Sequence, residues 1–344
     1  MHYETLGRSG LKVSRACLGT MNFGSGHVMA ASDEQEAARI VNEFLDAGNN
    51  FVDTADAYSA GQSEETVGRA IKGRREDVVL ATKAASPMGP GPHQSGLSRK
   101  HLTKALDDSL RRLDTDYIDL YQAHHWDDST PIEETMATLD GFVRAGKVRY
   151  LGASNFTAAQ IVEAQWAAAR AGTTPLISLQ PQYSLVARYI EAEILPACER
   201  HGMGTLVWSP LGGGVLSGRY RRDEEPAVGT RMNRLGTSGL PGADMFLRQY
   251  LNDANLDVAE AVAEVAGEMG TTPASVALAW VAQRPGITSV IIGPRTTEHL
   301  HQSLEGLRLE LPAEAVERLE QASRHSTLQP VNGTQNPVGS PAGH

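Results

Sequence analysis

Three apolar runs in the first 125 residues each end in a side chain able to carry or share charge. They are Asn50-Phe51-Val52-Asp53, Val79-Leu80-Ala81-Thr82-Lys83 and Leu120-Tyr121-Gln122-Ala123-His124, and Tyr58 stands five residues after the aspartate. Singly each has a plainer explanation: Asp53 as a helix cap, Lys83 as an exposed strand end, His124 as a packed histidine. Together they suit proton delivery. A tyrosine hydroxyl, with a reference pKa near ~10, is a poor acid until a neighbouring ammonium stabilises its phenolate. Lys83 is the candidate ammonium, Asp53 the carboxylate that keeps it charged in a partly dry site, and His124 the group that orients an oxygen or shares its proton. Tyr58 is then the general acid.

Such residues need a scaffold that gathers strand ends at one mouth. The chain of 344 residues, 41% hydrophobic and 21% charged, is of ordinary globular composition and can bury a core without disulfides. A hairpin is predicted from Tyr3 to Val13, turning at Arg8-Ser9-Gly10. Strand candidates follow at Arg15–Leu18, Asn50–Asp53, Val78–Thr82, Ile118–Ala123, Val148–Ala153, Leu176–Leu179, Thr205–Trp208 and Ser289–Ile292. Between them lie apolar residues at helical spacing, such as Ile40, Val41, Phe44 and Leu45, with Ser32-Asp33 and Thr130-Pro131 as start signals and Gly48 and Gly146 as stops. Eight βα units fit an α/β fold of the (β/α)8 TIM-barrel type with an N-terminal β-hairpin. An open doubly wound sheet is the alternative topology.

Two segments break the rhythm. Gly218 to Tyr250 is rich in Gly, Arg and polar residues and reads as a long functional loop. Residues 326–344, full of Gly, Pro, Asn and Ser, read as a flexible tail, so a single domain is expected over 1–325.

The composition also narrows the partners. Thirty-one Lys+Arg against 41 Asp+Glu give a net charge of −10, which argues against nucleic acid or an anionic membrane. No apolar run reaches membrane-spanning length and the first residues lack a secretory h-region. Cys17 and Cys198 are isolated, with no metal-ligand spacing. A cytoplasmic protein without a metal site is expected, and the oligomeric state is open. The basic cluster Arg219, Arg221 and Arg222 is either a solvated loop or a site for a compact anion.

The run Asn50-Phe51-Val52-Asp53-Thr54-Ala55-Asp56-Ala57-Tyr58, followed by Gly61, Ser63-Glu64 and Gly68, resembles the signature of the aldo-keto reductases. Leu80-Ala81-Thr82-Lys83 and Asp116-Tyr117-Ile118-Asp119-Leu120-Tyr121-Gln122-Ala123-His124 are similar to the family's lysine and histidine motifs, and the likeness runs from about Tyr3 to about Ser323. The resemblance implies a catalytic tetrad of Asp53, Tyr58, Lys83 and His124, and selects His124 over His125. It leaves His125 and Trp126, beside Tyr58 and His124, as residues that meet substrate.

It also implies an NADP(H) site. Ser154, Asn155 and Gln180 resemble the residues that hold the cofactor's carboxamide, and Trp208-Ser209-Pro210-Leu211 the segment that stacks on the nicotinamide. Thr20, Met21 and Asp53 fall at its edge. Gly212 and Gly214 would let backbone amides reach a pyrophosphate beneath Arg219 and Arg231, the segment 218–250 acting as a clasp. Gly293 and Arg295 match the site for the adenosine phosphate. His299, Gln302 and Ser303 stand where a Gln, a Glu and an Asn usually follow. No G-x-G-x-x-G follows a strand, which excludes a Rossmann reading.

The implied activity is NADPH-dependent reduction of an aldehyde or ketone. Gly19-Thr20-Met21-Asn22-Phe23-Gly24 is similar to the bacterial branch that includes deoxysugar and natural-product ketoreductases, so a nucleotide-linked keto-deoxysugar is one candidate substrate. An NADP(H)-loaded regulatory subunit resembling the potassium-channel β-subunits is the other functional class. In that group the position of His124 resembles an asparagine.

Overall fold

The computed structural model describes residues 3–25, 32–240 and 242–325; the expected tail at 326–344 lies outside them. Strands β1 (Tyr3–Thr5) and β2 (Lys12–Ser14) form an antiparallel hairpin with Tyr3 opposite Ser14. Eight further strands are β3 (Ala16–Gly19), β4 (Phe51–Asp53), β5 (Val79–Ala84), β6 (Ile118–Ala123), β7 (Val148–Ser154), β8 (Leu176–Gln180), β9 (Gly204–Val207) and β10 (Ser289–Ile292). They pair in parallel, each with its neighbour in sequence, and β10 closes onto β3. The fold is a (β/α)8 barrel, and closure decides against the open sheet.

Helices form where the apolar spacing predicts them. Helix Glu34–Asp46 buries Ala37, Ile40, Val41, Phe44 and Leu45 against the barrel, and each of the larger side chains contributes about 1.5–3 kcal/mol by leaving water. Its N-cap is Asp33, whose carboxylate accepts from the Glu36 N–H at 2.8 Å. Ser32 is not part of this cap, because its hydroxyl donates to the Arg295 carbonyl at 2.9 Å and so ties the first βα loop to the last.

The hydrophobic interior falls into two parts. One lies between barrel and helices. The smaller joins inward-facing Cys17, Phe51, Val79, Ala81, Leu120, Ile177, Leu206 and Ile291 to Leu6 and Val13 of the hairpin. Arg8 N–H donates to the Gly202 carbonyl at 2.7 Å, ahead of β9, so the hairpin caps the end at which the strands begin. Chemistry is left to the other end, where the strands finish.

The expectation of a structureless loop over 218–250 is corrected. Two short helices occupy it, Arg231–Gly236 and Ala243–Tyr250. Thr230 caps the first by accepting from Asn233 N–H, and Met232, Leu235 and Tyr250 are buried. Each helix spans about two turns or fewer, too short for its periodicity to stand out among the glycines.

Candidate active site

Asp53 closes β4, and Lys83 lies within β5 opposite Gln122 of β6. All three side chains point into the barrel. Lys83 is completely buried, and its ammonium donates to Asp53 Oδ2 and to the Thr54 carbonyl, each at 2.6 Å. The other carboxylate oxygen, Oδ1, accepts from Gln122 Nε2 at 3.0 Å and Gln180 Nε2 at 2.8 Å. Burial works against the charge on Lys83, but the Asp53 carboxylate and the Tyr58 hydroxyl outweigh it and hold the pKa above that of ordinary lysine. The ammonium therefore stays protonated.

Tyr58 follows β4 on a tight turn, Tyr58–Gly61, in which Ser59 and Ala60 take φ of 48° and 53°. Left-handed backbone at two non-glycine residues costs on the order of 1–2 kcal/mol each. Surrounding bonds impose it: Ser59 Oγ donates to the Phe23 carbonyl at 2.9 Å. Beneath the turn, fully buried Glu64 accepts from Thr82 Oγ1 and Arg112 Nε, both at 2.6 Å. The Tyr58 ring stands 4.8 Å from the Lys83 nitrogen and edge-on to the His124 ring, 6.0 Å between centroids at 82°. Burial raises the phenol's pKa; the Lys83 charge and hydrogen bond pull it down without cancelling that rise. Tyr58 is thus a protonated donor in the resting protein.

His124 begins the loop after β6 and anchors its backbone N–H on the Ala84 carbonyl at 3.0 Å. Burial first, then the charges of Lys83 and His125, push its pKa well below the usual imidazole value, and its Nδ1 is buried without a partner. It is a neutral imidazole. His125 beside it is half-buried, with Nδ1 3.1 Å from the Trp126 carbonyl. The Trp126 ring packs edge-on against Phe156 at 5.1 Å, with its N–H on Asp128.

The other expected residues line the same mouth. Thr20 donates through both N–H and hydroxyl to the Asp53 carbonyl at 3.0 and 3.1 Å, Met21 lies half-buried beside it, and Asn22 donates to the Gly293 carbonyl at 2.8 Å. Ser154 Oγ donates to the Gln180 carbonyl at 2.7 Å. Asn155, with φ of 59°, donates to the His124 carbonyl and accepts from Trp208 Nε1, both at 3.1 Å. That bond fixes the orientation of the indole. Gly152 leaves room in the barrel, for a Cβ there would lie 2.5 Å from Ser178 Oγ and 3.1 Å from Gln122 Cγ.

The segment after Trp208 folds back on itself. Gly212 and Gly214 donate to the Ser209 and Leu211 carbonyls at 2.9 Å, and Gly213 to Ser209 Oγ at 3.0 Å. These amides are paired inside the turn. The glycines serve shape: at Gly213, φ 67°, a Cβ would meet Met232 and the Tyr250 ring at 3.0 Å.

Cations gather further out. Of the three arginines in the basic run, Arg221 pairs with Glu224, and Arg222 with Asp253, Asp257 and Glu260. Arg219 instead donates to His299 Nε2 at 2.9 Å. Arg295 donates to the Gly229 carbonyl at 3.1 Å and feels the charges of Arg219, Arg234 and Arg231. Burial and then those like charges lower its pKa, and burial lowers that of Arg231. Ser303 donates to the His299 carbonyl at 2.7 Å and Gln302 to Glu298 at 3.2 Å, so both hydrogen-bond within their own helix.

Two supporting residues were not singled out from the sequence. Gln122 stands two residues before His124 and so shares its face of the strand, a signal available from alternation alone. Tyr250, which accepts from Gln182 Nε2 at 2.8 Å and packs against Gly213, had none.

A barrel with buried polar side chains at the ends of consecutive strands defines an enzyme-type mouth. A model of the aldo/keto reductase family matches residues 15–324. An uncharacterized oxidoreductase of Bacillus subtilis, YrpG, is 40% identical over 330 residues, 93% of this chain and 95% of its own. A probable voltage-gated potassium channel subunit beta of Arabidopsis thaliana is 37% identical, covering 89% and 91%. The versiconal hemiacetal acetate reductase of Aspergillus parasiticus is 33% identical, covering 96% and 99%. This chain belongs to the aldo/keto reductase family and is an oxidoreductase of carbonyl compounds. Among the described residues no helix is long and apolar enough to cross a membrane.

Proposed function

We propose that the protein reduces an aldehyde or ketone to an alcohol with NADPH, Tyr58 acting as general acid. The observation that carries this reading is the Asp53–Lys83 pair at 2.6 Å beneath the Tyr58 ring, with neutral His124 on its other side. Bound NADPH supplies the hydride. As negative charge develops on the carbonyl oxygen, Tyr58 Oη gives up its proton and Lys83 stabilises the phenolate left behind. Asp53, held by Gln122 and Gln180, keeps Lys83 charged. His124, uncharged, orients the same oxygen without competing as an acid.

The residues fit the cofactor. Trp208, pinned by Asn155, presents a fixed aromatic face at the mouth, with Ser154 and Gln180 adjoining. Beyond Ser209-Pro210-Leu211, the field shared by Arg219, Arg231, Arg295 and His299 is unfavourable until an anion neutralises it. Arg295 is the proposed partner of the 2′-phosphate and the segment 218–250 the clasp, already tied to it through Gly229.

The channel-subunit relatives favour a second reading, a cofactor-loaded regulatory subunit. His124, present where that group resembles an asparagine, supports the enzyme. Oxidation of NADPH by the purified protein, followed optically against a panel of aldehydes, ketones and keto-sugars, tests the reading. Turnover of one class is expected; cofactor binding with no turnover of any would favour the regulatory subunit.

A further inference from the structure

Arg219 and His299 come from elements 80 residues apart, yet Arg219 Nη2 lies 2.9 Å from His299 Nε2. A guanidinium has donors only. The imidazole nitrogen facing it must therefore be the acceptor, and His299 is neutral with its proton on Nδ1. A charged imidazolium would set two donors face to face, and the pair would part unless an anion came between them.

The surroundings reinforce that geometry. Burial comes first among the causes that lower the His299 pKa, followed by Arg219 from the start of the clasp and Arg295 from the turn after β10; Glu298 on its own helix opposes them weakly. Arg231 and Arg234, on the short helix behind, add positive charge at Arg295. A dianion among these groups would reverse the balance, since it neutralises the arginines and gives both nitrogens of a charged His299 a role. His299 is the only group of the set whose charge changes near neutral pH.

We infer that His299 is a proton-coupled reader of the cofactor's 2′-phosphate: neutral and held by Arg219 in the free protein, it takes up a proton when the phosphate enters and then contributes to the preference for NADPH over NADH. This rests on the cofactor reading above and adds a specificity determinant to it. Linkage then requires that the affinity for the phosphorylated cofactor rise as pH falls through the range in which the bound imidazole is charged and the free one is not. The limit is about tenfold per pH unit for one proton. NADH, lacking the phosphate, gains nothing.

The phosphate has its own second pKa of about 6, so the parent protein alone does not isolate the histidine. The comparison is with His299→Gln, which keeps a neutral hydrogen-bonding side chain. Tryptophan fluorescence quenching gives Kd for NADPH and NADH between about pH 8 and about pH 6, and calorimetry in buffers of different ionisation enthalpy counts the protons taken up. Severalfold stronger pH dependence for NADPH in the parent than in His299→Gln is expected, with extra proton uptake only in the parent and flat NADH affinity in both. Equal pH dependence and equal proton uptake in the two proteins would overturn the inference while leaving the cofactor site intact. Absence of any NADPH preference at every pH would instead overturn the cofactor reading, and this inference with it.

Discussion

Tyr58→Phe and Lys83→Met separate catalysis from stability at the mouth, because the two side chains hold different partners. The Tyr58 hydroxyl reaches Lys83, which already holds Asp53 and the Thr54 carbonyl at 2.6 Å. Deleting it therefore costs the fold no more than about 1 kcal/mol, the net worth of one ordinary hydrogen bond. The barrier should rise far more: loss of a positioned acid lowers turnover by roughly 10²- to 10⁴-fold, or about 3–5.5 kcal/mol. Lys83→Met is a different perturbation. It leaves the Asp53 carboxylate, 2% exposed, with only the Gln122 and Gln180 amides. An unpaired buried charge of this kind costs about 3–5 kcal/mol of stability, and at roughly 2 °C per kcal/mol Tm should drop by about 6–10 °C.

Thermal unfolding, cofactor Kd by fluorescence quenching and single-turnover reduction, measured on both variants and the double, complete the assay. Tyr58→Phe should keep Tm and Kd near the parent and lose turnover; Lys83→Met should lose Tm and turnover together. The double variant should turn over little more slowly than either single, since both disable one proton-delivery unit. Near-parental turnover by Tyr58→Phe would refute the mechanism and make His124 the acid to test.

Asp56 is fully buried with neither carboxylate oxygen paired, and burial followed by the Glu64 charge raises its pKa well above normal. The folded state thus holds a proton that the unfolded chain releases above pH ~3.9, so stability falls as pH rises from there toward the folded pKa. The stability of Asp56→Asn relative to the parent should grow from pH ~4 to pH ~8 in denaturant titrations, and a pH-independent difference would show that Asp56 is ionised in the fold. Arg295→Ala should remove most of the preference for NADPH over NADH, a loss of about ten- to a hundredfold in relative Kd; unchanged discrimination would pass that role to Arg219, Arg231 or His299. Removal of residues 326–344 should leave Tm and kcat near the parent, and a large change in either would place that segment within the domain.

The eight βα units and the strand-end positions of the candidate site residues were legible in the sequence because both are local. Alternating strand and helix periods define βα units, and a side chain's position at a strand's end decides that it faces the mouth. Those facts and the short span after Asp53 marked Asp53, Lys83, His124 and Tyr58 as candidates, while the resemblance to the aldo-keto reductase motifs joined them as a tetrad and selected His124 over His125. The Asp33 N-cap followed from a carboxylate three residues before the N–H that donates to it.

Tertiary structure decided what depends on distant partners. Closure of β10 onto β3 joins segments more than 270 residues apart, and no local period encodes it. The paired glycine amides after Ser209, the two helices inside 218–250 and the meeting of Arg219 with His299 all arise from packing between separate loops. So do the protonation states. Sequence proposed that Lys83 would make Tyr58 a stronger acid, but burial of the whole mouth raises the phenol more than one ammonium lowers it. Desolvation is a property of the assembled site, set by every neighbour at once.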